Sequence, residues 1–555
     1  VSRWARSWQL PFALALCLTG PICFDAITES DAGFHVAMGR LIRQGTIPTT
    51  NALSWIARDH PWRPTSWLYD WLCAVADAGL GPLGLQLMTF AFLALTLLFM
   101  SLLCKRAGPQ LGAWLVIPIA LALVPRITLR PHVPTWAVIA ATLYLCHAAP
   151  RLRFFCLPII ALGANLHAGA AFAAGIAGLF FLQEFFRGRR GLALLGMAGC
   201  LAATLATPNG LYGVTYLFAH LTVSSVMPVR EFAHASWPGS AAFFVAAALS
   251  LLLLSRRPSK EPALLAALVV FAGLTLLAAR MSSEFMLVAA PVLASGLDEL
   301  AERASLRAAL AALFGAVFVV IFPMRLDARY RYLDLAPRFD EHALPVRAAR
   351  FIAERSLDGP HFNSFDDGGY LEYALPGLPA FLDGRIQAFP ASLFHQLEVS
   401  ERSPAAFDQE LRQLGVEWAL VLRDPRLQTG DGLLDPMPGW ALVYWDDLSE
   451  LFVRRDVKRL GSLIERDEYR FFRADGAVLG RIAAANRSAL PAIEAEVSRY
   501  ERTSEQDPNA ALVRCELALR GGSAGTEACD RAAALARGDR LRQLLSQVRT
   551  VQAAP

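Results

Sequence analysis

Long apolar stretches alternate with short clusters of arginine and lysine over the first three-fifths of this chain. Apolar runs at roughly 9–27, 82–104, 110–125, 132–149, 153–166, 168–186, 191–207, 239–255, 261–279, 283–297 and 307–323 approach the ~20 residues that cross a bilayer as a helix, and they predict about eleven spans. The shorter runs, 153–166 above all, fit tilted, broken or re-entrant segments. Basic clusters at Arg3/Arg6, Lys105/Arg106, Arg151/Arg153, Arg187/Arg189/Arg190, Arg256/Arg257/Lys260 and Arg303/Arg307 fall at every second boundary of that count. The positive-inside rule places them in the cytoplasm. The N-terminus is then cytoplasmic, and the loops 28–81 and 208–238 and everything after 324 are extracytoplasmic.

The first outer loop carries its own pattern. Phe34, Val36, Met38, Leu41 and Ile42 follow helical spacing, and Trp62, Trp67, Tyr69 and Trp71 cluster in a second helical stretch. That aromatic density predicts helices lying in the membrane interface. Beyond 324 the pattern turns mixed and soluble. Helices are expected over 343–356 and 403–414, and short strands over 361–365, 380–382, 418–422, 440–444 and 451–454. The predicted organisation is a transmembrane domain over 1–324, an extracytoplasmic α/β domain over 325–478, and a short helical, tetratricopeptide-like tail over 479–555.

Composition agrees with a membrane class: 55% of the 555 residues are hydrophobic and only 18% charged, with a mean hydropathy of +0.39. A net charge of +4 gives no reason to invoke nucleic acid. Nine cysteines show no zinc spacing and no disulfide framework. Cys515 and Cys529 fall on neighbouring predicted helices of the tail, where either a disulfide or two buried thiols would fit. Arg3 and Arg6 precede an apolar run as in a signal peptide, but no small-residue cleavage site follows, so the run reads as an uncleaved first span.

Candidate chemistry begins just outside that span. Glu29 and Asp31 precede His35 and Gly39, and on a helix positions 31, 35 and 39 share one face. Such carboxylates can act as general base or hold a divalent cation bound to a phosphate; alternatively they cap a loop helix and are simply solvated. Arg126, Arg130, Arg230 and Arg280 all stand at the outer ends of spans, the side that the charge rule disfavours. Guanidinium groups there suit a lipid-linked phosphate, or else they snorkel to headgroups. His132 opens one span, and Asn165 and His167 interrupt the apolar sequence between two others; a hydrogen-bonded structural histidine is the plain alternative for each imidazole. In the soluble region Tyr370 follows Asp366-Asp367-Gly368-Gly369, and Asp383-Gly384-Arg385 follows an expected strand. These segments read as a polar substrate contact or as ordinary turn chemistry. No nucleophile elbow, Walker motif or nucleotide-binding glycine set is present, which argues against an ATP-driven pump.

Taken together these residues resemble the multi-spanning GT-C glycosyltransferase superfamily, which includes protein O-mannosyltransferases, the lipid A aminoarabinose transferase and bacterial oligosaccharyltransferases. Glu29-x-Asp31 matches the acidic motif of that superfamily in type and place. More specifically, Asp31-x-x-Phe34-His35-x-x-x-Gly39, Gly45-x-Ile47-Pro48, Ser54, Pro61-Trp62 and Trp67-Leu68 resemble a bacterial branch of largely uncharacterised polytopic proteins. Arg130-Pro131, Asn165-x-His167-x-Gly169, Gly368 to Leu371 and Asp383 to Arg385 recur in that branch as well, and Asp70-Trp71 resembles its acidic residue near the end of the first loop. The likeness runs from about 25 to 455 and leaves the tail outside.

The resemblance implies inverting transfer of a sugar from a polyprenyl-phosphate donor to a glycan, lipid or protein acceptor, on the outer face of a bacterial inner membrane. Asp31 would be base or ligand to a divalent cation (Mg or Mn), assisted by Glu29, with His35 orienting Asp31 or the donor. Arg126, Arg130, Arg230 and Arg280 would hold the donor phosphate. Asp70, His132, Asn165, His167, Tyr370, Asp383 and Arg385 would contact substrate, and the tail would bind a protein partner. Two other classes compete: a lipid-linked sugar transporter or flippase using the same arginines, and a non-catalytic envelope scaffold that keeps the fold.

Overall fold

The apolar runs fold as helices, several of them cut short at a proline, a glycine or a polar group. The computed structural model describes residues 7–109, 111–220, 233–237, 239–255, 261–301, 333–423, 432–473, 486–504, 508–520 and 526–535. It divides into two units, the first formed by Val1–Asn51, Asp59–Phe339 and Ile386–Ala388, the second by Ala52–Arg58, Asp340–Arg385 and Phe389–Pro555.

The first unit is helical. Its elements are α1 (Gln9–Thr19), α2 (Asp31–Ile42), α3 (Trp67–Leu80), α4 (Pro82–Ala107), α5 (Val116–Leu123), α6 (His132–Leu143), α7 (Cys156–Leu166), α8 (Ala170–Phe186), α9 (Arg190–Leu205), α10 (Leu211–His220), α11 (Ala241–Ser255), α12 (Pro262–Leu277) and α13 (Ser282–Ala301). Trp136, Phe181 and Phe285 are among its fully buried side chains.

The expected eleven spans are not matched helix for helix. Among the described residues only α4 is long and apolar enough to cross a membrane by length and composition, and six further apolar helices run 10–17 residues. The physical reason lies in the breaks. Gly20-Pro21 tightens the end of α1 into a 3-10 turn, Pro125 does the same after α5, and His167 adopts an extended backbone that ends α7. The expected span at 307–323 lies outside the described residues.

Gly39 fixes how α2 meets α3. A Cβ at this position would stand 1.9 Å from the Asp70 carbonyl oxygen and 2.8 Å from Ala74 Cβ, so the two helices touch backbone to backbone there. The stretch after α1 is tied down separately. Ala26 N–H donates to Asp334 O at 2.8 Å, Ile27 N–H donates to Arg338 O at 2.9 Å, and Gln86 Nε2 donates to the carbonyls of Asp25 and Ala336. Glu29 and α2 therefore leave a held segment rather than a loose loop.

The second unit is α/β. Helix α14 (Val346–Glu354) precedes β1 (His361–Asn363), followed by α15 (Gly368–Ala374), α16 (Ala391–Ser400) and α17 (Pro404–Gln413), where Ser403 caps the helix by accepting from Ala406 N–H. Strands β2 (Trp418–Leu422), β3 (Trp440–Trp445) and β4 (Ser449–Arg454) complete a four-stranded sheet in the order β1-β2-β4-β3. Strand β1 runs parallel to β2, and the other pairs are antiparallel. The expected strand at 380–382 forms instead an isolated bridge in which Ala380 N–H donates to Leu53 O and Trp55 N–H donates to Ala380 O. Helices α18 (Gly461–Asp467), α19 (Leu490–Glu501), α20 (Pro508–Arg520) and α21 (Thr526–Leu535) follow. The Glu496 carboxylate accepts three backbone N–H groups, from Arg470, Phe471 and Phe472, and the Tyr500 ring stacks on Trp445 at 4.0 Å. Cys515 and Cys529 are disulfide-bonded between α20 and α21.

Candidate active site

Asp31 is the first residue of α2, where the helix dipole favours a negative charge. Arg130, from the turn before α6, reaches it across the fold. One guanidinium nitrogen, Nη2, lies 2.8 Å from Glu29 Oε2 and 3.1 Å from Asp31 Oδ2, and Nε donates to Glu29 Oε2 at 3.0 Å. The acidic pair and Arg130 thus form one cluster. Its members keep 22–27% of their side-chain surface exposed, enough to meet a ligand.

One turn along α2, His35 is buried against α3. Its Nδ1 lies 2.6 Å from Asp70 Oδ1. The ring sits 4.2 Å from Phe34 and edge-on to Tyr69 at 5.0 Å. His35 therefore pairs with Asp70, where the sequence led us to expect it to orient Asp31 or the donor. Burial pushes the Tyr69 hydroxyl well above its ordinary range, with Cys73 and then Asp70 adding to the shift and the nearby Arg130 charge opposing it. Tyr69 thereby links the dyad electrostatically to the Arg130 cluster, and nothing in its sequence context sets it apart from the other loop aromatics.

Arg126 lies four residues before Arg130, and its Nε is buried with no hydrogen-bond partner among the described residues. Its carbonyl accepts from His132 Nε2 at 2.8 Å, and Arg126, Arg130 and His167 all lie within electrostatic reach of His132. His167 Nδ1 receives the Gly169 N–H at 3.2 Å and lies 2.8 Å from Thr135 Oγ1. Asn165 uses its amide as a clamp: Oδ1 accepts from Trp67 Nε1, and Nδ2 donates to the carbonyls of Ala161 and Ala206, all at 2.8 Å. Arg280 sits half-buried on the turn before α13. On α13 itself, buried Glu284 accepts from Trp136 Nε1 at 3.1 Å. Arg230 lies outside the described residues.

In the second unit the two glycine-containing segments meet. A Cβ on Gly368 would stand 1.7 Å from Leu382 O. Arg385 donates from Nε to Asp383 Oδ1 at 2.8 Å and from Nη2 to Asp383 Oδ2, and lies 3.5 Å from Glu372 Oε1. Asp383, Arg385 and Glu372 are all buried, so these charges face one another inside the unit and not the polar substrate expected from sequence. Buried Tyr370 belongs to the same helix as Glu372, and its hydroxyl is pushed up to about 12 by burial. Asp367, next to Gly368, has a carboxyl pushed up to about 8, first by burial and then by Asp366 and Asp446.

Carboxylate oxygens are the donors that hard divalent cations favour. Glu29 and Asp31 fit that type. No third His, Cys, Asp or Glu joins them in a cluster among the described residues, so oxygens of a ligand and of water would have to supply the remaining positions.

A helical body followed by a mixed α/β unit is a fold that this chain shares with solved glycosyltransferase structures. The Archaeoglobus fulgidus oligosaccharyltransferase, crystallised with Zn and sulfate, is similar over 80% of this chain and 73% of its own, with a TM-score of 0.51 at 12% identity. The arabinofuranosyltransferase AftD from Mycobacteria is similar over 82% of this chain and 42% of its own, with a TM-score of 0.50 at 15% identity. ArnT from Cupriavidus metallidurans, bound to undecaprenyl phosphate, gives a TM-score of 0.48 at 14% identity over 81% of this chain and 98% of its own. No family model matches the chain, and no curated protein sequence matches it.

Proposed function

We propose that the chain is a membrane glycosyltransferase that moves a sugar from a polyprenyl-phosphate donor to an acceptor on the extracytoplasmic face. The observation that carries this reading is the convergence of Glu29 and Asp31 on Arg130, with Arg126, whose buried Nε has no hydrogen-bond partner among the described residues, four residues away. Oxyanion chemistry needs cations fixed where charge develops. As the bond from sugar C1 to phosphate oxygen breaks, negative charge grows on the leaving phosphate, and Arg126 and Arg130 stabilise it. Arg280 and Arg230 are further candidates for that task. Glu29 and Asp31 set the place and charge of Arg130. They would also hold a Mg- or Mn-type cation, which would offset phosphate charge. His132, His167 and Asn165 brace the helices from which the arginines project, and Asp383 and Arg385 brace the second unit.

A further observation supports the placement. The Cys515–Cys529 disulfide suits an oxidising compartment, which agrees with a tail outside the bacterial inner membrane and a cytoplasmic N-terminus. The helices that carry the disulfide offer a surface for a protein partner. The test is transfer by the purified chain from a panel of polyprenyl-phosphate sugars. Arg126→Ala combined with Arg130→Ala is expected to abolish it while the protein still folds. Undiminished transfer by that double variant would end the proposal.

A further inference from the structure

We infer that His35, held by Asp70, is the group that takes the proton from the acceptor hydroxyl, while Glu29 and Asp31 serve Arg130. The inference rests on the transferase reading above and assigns the proton in it.

The candidate bases differ in which of their lone pairs are already engaged. Glu29 Oε2 and Asp31 Oδ2 both face the Arg130 guanidinium at hydrogen-bonding distance. A carboxylate turned onto a guanidinium fork is an anchor for that cation. His35 is placed differently. The Asp70 carboxylate can only accept, so at 2.6 Å Nδ1 must carry the ring proton and donate it. That fixes the tautomer and leaves Nε2 with its lone pair available. The ring cannot turn to exchange its nitrogens without leaving Asp70, because Phe34 and Tyr69 pack against it. Asp70 is itself held: its backbone carbonyl lies against Gly39, so α3 cannot shift along α2 at that point.

His35 also stands where the proton must go. It lies four residues after Asp31 on α2, hence on the same helical face as the carboxylate that Arg130 binds. The side chain is 7% exposed, so it is closed to bulk water and not fully sealed. In the step itself, the acceptor oxygen forms a bond to sugar C1 as its O–H bond breaks. The proton passes to His35 Nε2. The C1–O bond to the phosphate breaks, and its electron pair leaves with the polyprenyl phosphate. The imidazolium that results is stabilised by Asp70, which keeps its negative charge, and it later returns the proton to water or to the released phosphate. No oxidant or further reactant is needed. Asp70 acts through His35 and is a positioning residue.

The test uses the full chain in lipid nanodiscs and the polyprenyl-phosphate sugar that the wild-type protein turns over. In His35→Asn the side-chain amide nitrogen replaces Nδ1, so it retains the bond to Asp70 and removes Nε2. His35→Ala opens a space that free imidazole can enter. Loss of the general base predicts a kcat lower by about 10²–10⁴-fold in both variants, with the donor KM within about twofold. Added imidazole should restore His35→Ala at least about tenfold and leave His35→Asn unchanged. Asp70→Asn should lower kcat and not KM. Near wild-type transfer by His35→Asn, or a loss in His35→Ala that imidazole does not relieve, would overturn the assignment and leave the transferase reading standing. Absence of transfer by the wild-type chain with every donor would overturn both.

Discussion

Replacing Gly39 by alanine is the sharpest probe of the contact on which the site depends. The added Cβ would stand 1.9 Å from the Asp70 carbonyl oxygen and 2.6 Å from its carbonyl carbon. Carbon and carbonyl oxygen approach no closer than about 3.3 Å in ordinary packing, so α3 must retreat by about 1.4 Å at this point. The His35–Asp70 bond, 2.6 Å in the native protein, would then open toward ~4 Å, beyond hydrogen-bonding distance. Overpacking of this kind costs about 1–3 kcal/mol, and loss of a hydrogen bond to a charged group about 1.5–3 kcal/mol. A destabilisation on the order of 3 kcal/mol follows, with transfer reduced at least as far as in Asp70→Asn. Thermal unfolding in detergent measures the first quantity and initial rates the second. Gly79→Ala is the control: it lies on α3 with nothing within 4 Å of the new Cβ, and the substitution should stabilise the helix by roughly 0.5–1 kcal/mol. If Gly39→Ala melts and turns over like Gly79→Ala, the backbone contact does not position Asp70 and the reasoning fails.

Arg130→Lys should lower transfer by about 10²-fold or more, since a point charge cannot serve two carboxylates and a phosphate as a planar fork does; initial rates test this. The Asp367 carboxyl, raised to about 8 in the folded chain from an ordinary value near 3.8, binds its proton more tightly folded than unfolded. Its contribution to stability is therefore complete below about pH 4 and is lost as pH rises through 8, and Asp367→Asn should flatten that slope in urea titrations followed by tryptophan fluorescence. Reducing the Cys515–Cys529 bond closes off the constraint of a short loop and should destabilise α20 and α21 by about 3 kcal/mol. Hydrogen exchange of those helices with and without reductant reads the effect. Trp67→Phe removes the donor to Asn165 Oδ1 and should cost about 1 kcal/mol in the melting of the helical unit, with a larger loss in Asn165→Asp, which keeps that acceptor but sets a carboxylate oxygen against the carbonyls of Ala161 and Ala206.

Much of this arrangement is written in local pattern. The apolar runs became helices because periodicity and length are properties of contiguous residues, and β2, β3 and β4 fell on short apolar and aromatic runs that are buried almost throughout. Asp31 and His35 share a face in sequence and in space because helix geometry requires it. The partners were harder to read. Asp70 sits 35 residues from His35, and only the approach of α3 at Gly39 brings it there. Arg130 stood out as a candidate for anion binding, but nothing local says that its first partners are Glu29 and Asp31, 101 and 99 residues away. Asp383 and Arg385 illustrate the opposite failure. Asp-Gly-Arg reads as a surface turn, yet Gly368 admits the Leu382 carbonyl so closely that the charged pair is carried into the interior. Helix lengths were hard to read for a related reason: hydropathy averages over prolines and glycines that end helices within an apolar run.

The seven residues Ala52–Arg58 are assigned to the second unit although they are encoded between α2 and α3. Ser54 donates to the Phe381 carbonyl across 327 residues of chain, and Trp55 Nε1 donates to that of His361. During synthesis those seven residues emerge long before their partners exist. At about 5–20 residues per second they wait roughly 16–65 s for the bridge at Ala380 to become available. Nor can the second unit be recovered by a single cut in the gene: a fragment starting at 340 would leave the carbonyls of His361 and Phe381 without their donors. A faithful excised version would have to supply the 52–58 peptide separately or graft it on by a linker.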